Sequence, residues 1–222
     1  MRYPLSALTS LALAGCLPAS AEPQPFTLDL GHAYIGWEID HFGYSNTVGQ
    51  FRTFDGTFLI DEDTPENSEI EFTIEATSID SNHIGRDNHL RAADFLNVEQ
   101  FPTIDFKSTH IVMSGEDTGT VTGDLTFMGI SKPFSMKFKV TDDAPFAGFL
   151  PRYNERRAVG FEATGRFDRL AHGFNALNFP GTPIGQYIDL DIHFDLVDCV
   201  GAPDDNIPCT YGRRSDLEYP NE

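Results

Sequence analysis

The chain has 222 residues and a formal charge of −19, a length at the upper end for one all-β domain and short for two ordinary ones. Hydrophobic residues make up 40% of it, with 19 Phe against one Trp and seven Tyr, which excludes a disordered chain and suits a dry interior. The acidity excludes a nucleic-acid partner, because phosphate binding needs a basic face. It also disfavours attraction to an anionic membrane surface and keeps a β protein soluble.

Residues 1–21 read as an export signal. Met1-Arg2 is a minimal positive start, Leu5 to Leu17 is a short apolar stretch, and Ala19-Ser20-Ala21 is a small-residue cleavage site. The apolar stretch is too short to span a bilayer as a helix. A second reading stays open. Leu13-Ala14-Gly15-Cys16 has the form of a lipobox, which would make 1–15 a lipoprotein signal and Cys16 a lipidated first residue. Both readings place residues 22–199 outside the cytoplasm.

Next come segments with period-two alternation. Strands are expected over Ala33–His41 and Gly49–Ile60, followed by a turn at Asp61-Glu62-Asp63-Thr64-Pro65. Ile70, Phe72, Ile74 and Ala76 alternate with Glu69, Glu71, Thr73 and Glu75. Thr103–Met113 and Thr120–Met128 are separated by Ser114-Gly115-Glu116-Asp117, and Gly129-Ile130-Ser131-Lys132-Pro133 is expected to turn. Phe134, Met136, Phe138 and Val140 then alternate with polar residues, as do Val159, Phe161, Ala163 and Phe167, and Leu190, Ile192, Phe194 and Leu196. Strand side chains point to opposite faces in turn, so each segment has one dry and one wet face. That pattern belongs to antiparallel sheets. About eight strands, several of them long, would leave exposed edges unless they close into a barrel. The fold class is therefore all-β, an eight-stranded antiparallel up-and-down barrel.

One segment departs from the pattern. Asn82 to Asn97 carries Ile84, Leu90, Ala93 and Phe95 among charged residues, and reads as a helix with loop flanks, a short lid over one barrel end. Within it, Arg86-Asp87-Asn88-His89-Leu90-Arg91 has two readings. Arg–Asp pairs lock the lid to the rim, or Arg86 and His89 meet a polar ligand head. After the last strand, 200–222 is a polar tail. Cys199 and Cys209 form an even pair that an oxidising compartment would close into a clip.

Motifs of chemistry are missing. No two of the seven His make a ligand motif such as H-E-x-x-H. There is no G-x-S-x-G elbow, no phosphate-binding loop and no dinucleotide fingerprint. The expectation is no enzyme, no metal, no cofactor and no catalytic residue.

Four stretches resemble the YceI-like family. The first runs from Phe26-Thr27-Leu28-Asp29 and His32, through Gly36-Trp37-Glu38-Ile39-Asp40-His41-Phe42-Gly43, to Gly49-Gln50-Phe51 and Phe54-Asp55-Gly56. The second, and most specific, is Arg86 to Leu96 with Phe101-Pro102-Thr103-Ile104-Asp105-Phe106. The third is Val121 to Thr126 with Gly129, Lys132 and Pro133, and the fourth is Gly160-Phe161 to Gly173. Ala171–Asn178 departs from the family's pattern at the end of the seventh strand. The resemblance implies an extended lipocalin-like barrel, a periplasmic location, and a long apolar pore for an isoprenoid or quinone-like lipid.

On that reading the tunnel wall is Trp37, Phe58, Phe72, Phe106, Phe127, Phe134, Phe161 and Phe194. Burying each CH₂ contributes about 0.8 kcal/mol, so ten approach ~8 kcal/mol before the costs of ordering. The partner is a long apolar lipid. A membrane enters only through lipidation at Cys16, and a homodimer is left open. The rival is a filled barrel, with no ligand, serving as an interaction or stress-protective module. An eight-stranded barrel is wide enough to be filled or to hold one small ligand.

Overall fold

The computed structural model describes residues 23–145, 156–179 and 184–199. The export segment, Cys16 and Cys209 lie outside them, and so does the expected Cys199–Cys209 bridge.

Among the described residues, period-two alternation becomes eleven strands: β1 (Gln24–Leu28), β2 (Tyr34–His41), β3 (Ser45–Phe51), β4 (Phe54–Ile60), β5 (Glu69–Glu75), β6 (Ile79–Asp80), β7 (Thr103–Met113), β8 (Thr118–Phe127), β9 (Ile130–Pro145), β10 (Arg157–Asp168) and β11 (Ile184–Val197). They form eight staves, because three staves are broken in the middle. β4 pairs with β1 and β3 pairs with β2, so β1–β2 and β3–β4 run side by side as interrupted strands. β5–β6 is the third, pairing with β4 and β3. Every neighbour is antiparallel, and β11 closes the ring by pairing with β10 on one side and with β2 and β1 on the other.

The interruptions have local causes. Between β1 and β2, buried Asp29 accepts the Gly31 N–H at 2.9 Å and meets His32 Nδ1 at 2.8 Å, holding one tight turn. The expected single strand Gly49–Ile60 is in fact split at Arg52-Thr53. There the Arg52 N–H donates to the Ser78 carbonyl at 3.2 Å, and Arg52 Nε donates to Asp80 Oδ2 at 2.6 Å. The break in one stave is thus tied to the break in the next.

The turn expected over 129–133 is also shorter than the residue types imply. Met128 and Gly129 both have positive φ, 49° and 73°, the two-residue hairpin that matches strand twist. β9 begins at once with Ile130 opposite Phe127. Pro133 sits inside the strand because β10 pairs only with 136–145, leaving 130–135 paired on the β8 side alone. A proline is tolerated there.

Alternate connections share an end. The β4–β5 loop, the β7–β8 turn and the start of β10 lie at one end, here the mouth. The β2–β3 and β8–β9 hairpins, the β10–β11 connection and the crossing from β6 to β7 lie at the other, the lid end. That crossing carries α1 (Ile84–Arg91), the one α-helix among the described residues, with loop flanks inside the expected 82–97 segment. Ala92 leaves the helix in an extended conformation, and bonds from Leu96 N to Leu90 O and from Asn97 N to Ala92 O fold the chain back. Phe95 and Leu96 are buried as a result, while Ile84 is 72% exposed.

Candidate functional site

The inward rows of the staves do not fill the barrel. They enclose a cavity of about 640 Å³, within the ~300–1,000 Å³ of small-molecule sites. It is about four times the ~150 Å³ apolar void that stays dry and takes benzene. All eight aromatics expected in the wall line it: Trp37, Phe58, Phe72, Phe106, Phe127, Phe134, Phe161 and Phe194. Alternation put them there, since the same rows bring Ile192, Leu196, Val159 and Ala163 to the same surface.

Aromatic contacts set the shape of the wall. Phe161 stacks on Phe194 at 5.3 Å, and Phe58 meets Phe72 and Phe194 at 5.5 and 5.4 Å. Nearer the lid, Phe127 meets Phe167 edge-on at 4.9 Å, and Phe174 lies 5.9 Å from both Phe127 and Phe95. Such rings hold one another in offset or edge-on geometries rather than collapsing inward. Trp37, the protein's one tryptophan, keeps its buried indole N–H without an acceptor among the described residues.

The lid end is closed by saturated polar groups. Asp87, 4% exposed, accepts the Ser81 N–H at 2.8 Å and the Ser81 hydroxyl. Arg86 donates to the Ser81 hydroxyl at 2.7 Å and the Ser81 carbonyl at 2.6 Å. Arg91 donates to the Thr77 and Ile79 carbonyls at 2.7 and 2.6 Å. The lid is therefore locked to β6 by arginine-to-carbonyl bonds, not by the expected Arg–Asp pairs. His89 meets Asp94 at 3.0 Å and packs edge-on against Phe95 at 4.4 Å. Neither Arg86 nor His89 lines the cavity, whereas Leu90, Phe95 and Leu96 do.

Beside α1, the departing stretch before β11 forms the rest of the plug. Arg169 is 1% exposed, and burial pulls its guanidinium below the usual arginine range. It donates to the carbonyls of Gly185, Phe174 and Ala176 at 2.7, 2.8 and 2.9 Å and, at 3.4 Å, to that of Ile184. His172, also buried, has Nε2 without a partner among the described residues.

The mouth is different. Asp61, Glu62, Asp63, Glu116, Asp117 and Asp143 line it, with Arg157 the single cation among the described lining residues. Arg157 holds Asp143 through Nε at 2.6 Å and through Nη2, and reaches Glu62 with Nη1. Asp61 is buried, accepting the Thr64 N–H at 2.8 Å and Asn67 Nδ2 at 3.0 Å, and these bonds hold its carboxyl below the ordinary aspartate range. Sequence reasoning saw Asp61–Asp63 and Glu116-Asp117 only as turn residues. The signal was available: in an up-and-down barrel, alternate hairpins crowd at one end. Arg169 gave no comparable signal, because its carbonyl partners come from both sides of a long connection. Among the described residues no three His, Cys, Asp or Glu converge as a metal site.

A closed eight-stranded antiparallel barrel around an apolar cavity is a lipocalin-like barrel in class. The chain belongs to the YceI-like family, whose domain matches residues 26–196. It is 40% identical over 168 residues to Protein YceI of Escherichia coli O17:K52:H18, covering 75% of this chain and 82% of that one. Among solved structures it superposes on Burkholderia cenocepacia BcnA with a TM-score of 0.65 at 18% identity, covering 76% of this chain and 98% of that one. A polyisoprenoid binding domain from Saccharophagus degradans gives 0.56 at 12% identity, covering 78% and 97%.

Proposed function

We propose that the protein is an exported, periplasmic binding or carrier protein for a long-chain isoprenoid or similar amphiphilic lipid of quinone or polyprenyl type. The observation that carries this is the apolar cavity of about 640 Å³, walled by aromatic and aliphatic side chains and plugged at one end. A void of this size would cost a ligand-free barrel packing energy along its whole lining, which argues against the filled-module alternative. The family relation and the likeness to a polyisoprenoid binding domain support the same ligand class. The reading is of a binder and not an enzyme, since the lining is apolar away from the mouth and Arg157 there is occupied by carboxylates. The leader sequence supports export, free or tethered through Cys16, and the intact mass of the mature protein separates the two.

Native mass spectrometry of gently purified mature protein is expected to show a bound lipid, or uptake of added ubiquinone or polyprenol. Quinone uptake should also quench the emission of Trp37. Recovery of apo protein alone, with neither compound taken up, would sink the proposal. Ala163→Phe, which projects a ring into the cavity, should abolish uptake while the barrel stays folded.

A further inference from the structure

We infer that the barrel's opening selects the head group: the cavity takes chains whose head donates hydrogen bonds and carries no negative charge, such as a hydroxyl, and turns away phosphate and carboxylate heads. This rests on the lipid-binding reading of the cavity and names its ligand more narrowly.

A long apolar chain in this cavity must leave its polar end somewhere. The arginines of the lid end do not offer a place for a charged head. Arg169 has its N–H groups on four backbone carbonyls, and Arg86 and Arg91 are turned onto the carbonyls of residues 77–81. None of these three lines the cavity. The polar end therefore lies at the mouth.

There, anion recognition needs an arginine fork or ammonium with free N–H groups. Among the described residues, Arg157 is the one arginine or lysine on the lining. One edge of its guanidinium holds Asp143 and its remaining nitrogen holds Glu62. Around it stand four more carboxylates, Asp61, Asp63, Glu116 and Asp117. An entering phosphate meets these carboxylates next to a low-dielectric interior that strengthens the repulsion. Carboxylates accept hydrogen bonds and do not donate them, so a hydroxyl finds partners there without a charge penalty. The acids act as a filter because the cavity lies behind them; the chain supplies the affinity and the mouth decides which end groups are tolerated.

The test uses the full mature protein and a matched pair of twenty-carbon probes, geranylgeraniol and geranylgeranyl monophosphate, read by Trp37 emission and native mass spectrometry. The alcohol is expected to bind at least about tenfold more tightly at low ionic strength. The gap should narrow in about 0.5 M salt, where screening shortens to a few ångström. The triple variant D63N/E116Q/D117N should bring the ratio to about threefold or less. Equal or tighter binding of the phosphate overturns the inference while leaving the lipid-binding reading intact, and so does an unchanged ratio in the triple variant. Failure of both probes to bind removes both.

Discussion

The lid end and the mouth are built from opposite ends of the same staves, yet their charged residues are spent in opposite ways. At the lid, Arg86, Arg91 and Arg169 are consumed by backbone carbonyls. The arginines there tie the plug to the strand ends. At the mouth, Arg157 is consumed by side-chain carboxylates, all of which would be hydrated if it were absent. Charge at the lid is structural because its partners are fixed backbone groups, with Arg169 fully buried among them. Glu62, Asp63, Glu116 and Asp117 at the mouth are exposed, and their weight falls on whatever approaches the opening.

The largest effect expected from breaking this contrast is at Arg169. Arg169→Ala leaves its buried carbonyls without donors and should lower stability by about 3 kcal/mol, seen as an earlier midpoint in urea. Arg169→Lys should recover less than half, since an ammonium cannot fork across four separate carbonyls. A change below about 1 kcal/mol would mean that the carbonyls find water, and the end is not sealed. Next is Asp87→Ala, which strands the Ser81 N–H and loosens α1, for about 2 kcal/mol. Hydrogen exchange should locate the loss in residues 81–91.

At the mouth, Arg157→Ala should cost less than about 1 kcal/mol, and less again in high salt, because the pair is partly exposed and screened. A larger loss would make the mouth structural after all. The smallest effect concerns pH. The hydrogen bond to Asp29 raises the His32 pKa above its ordinary value. That contribution is therefore complete below about pH 6.5 and fades as pH rises through the elevated value. Burial pushes the Asp195 carboxyl up as well, so stability also falls as pH climbs from about 4 through its elevated value. Urea midpoints should drift downward from mildly acidic to mildly basic pH, and His32→Gln should flatten the upper part of that drift. An upward drift would contradict both assignments.

Much of the barrel was legible from alternation, because side-chain direction along a strand is a local property. Phe134, Phe161 and Phe194 could be placed on the inner surface from their own neighbours alone. The break at Arg52-Thr53 was not legible, since its partners, Ser78 and Asp80, belong to another stave. Pro133 misled because its tolerance depends on how far β10 reaches along β9. The lid charges were assigned to one another by proximity in sequence, whereas the carbonyls they found were at the end of β6. The acidic mouth needed the topology first: only when alternate hairpins are brought together do residues 61–63 and 116–117 become one ring.

The ring of staves is joined along β11. It pairs with β2 from Ile184–His41 to His193–Tyr34 and with β1 at Thr27–Val197 and Leu28–Leu196, residues from opposite ends of the folded chain. Every other junction can form from strands adjacent in sequence, at the modest entropy of a hairpin. This one must wait for nearly the whole chain, so it should close last and govern the folding rate. An incomplete or newly synthesised chain is then an open, curved sheet with its Phe-rich face uncovered, and its exposure to aggregation ends when β11 meets β1 and β2.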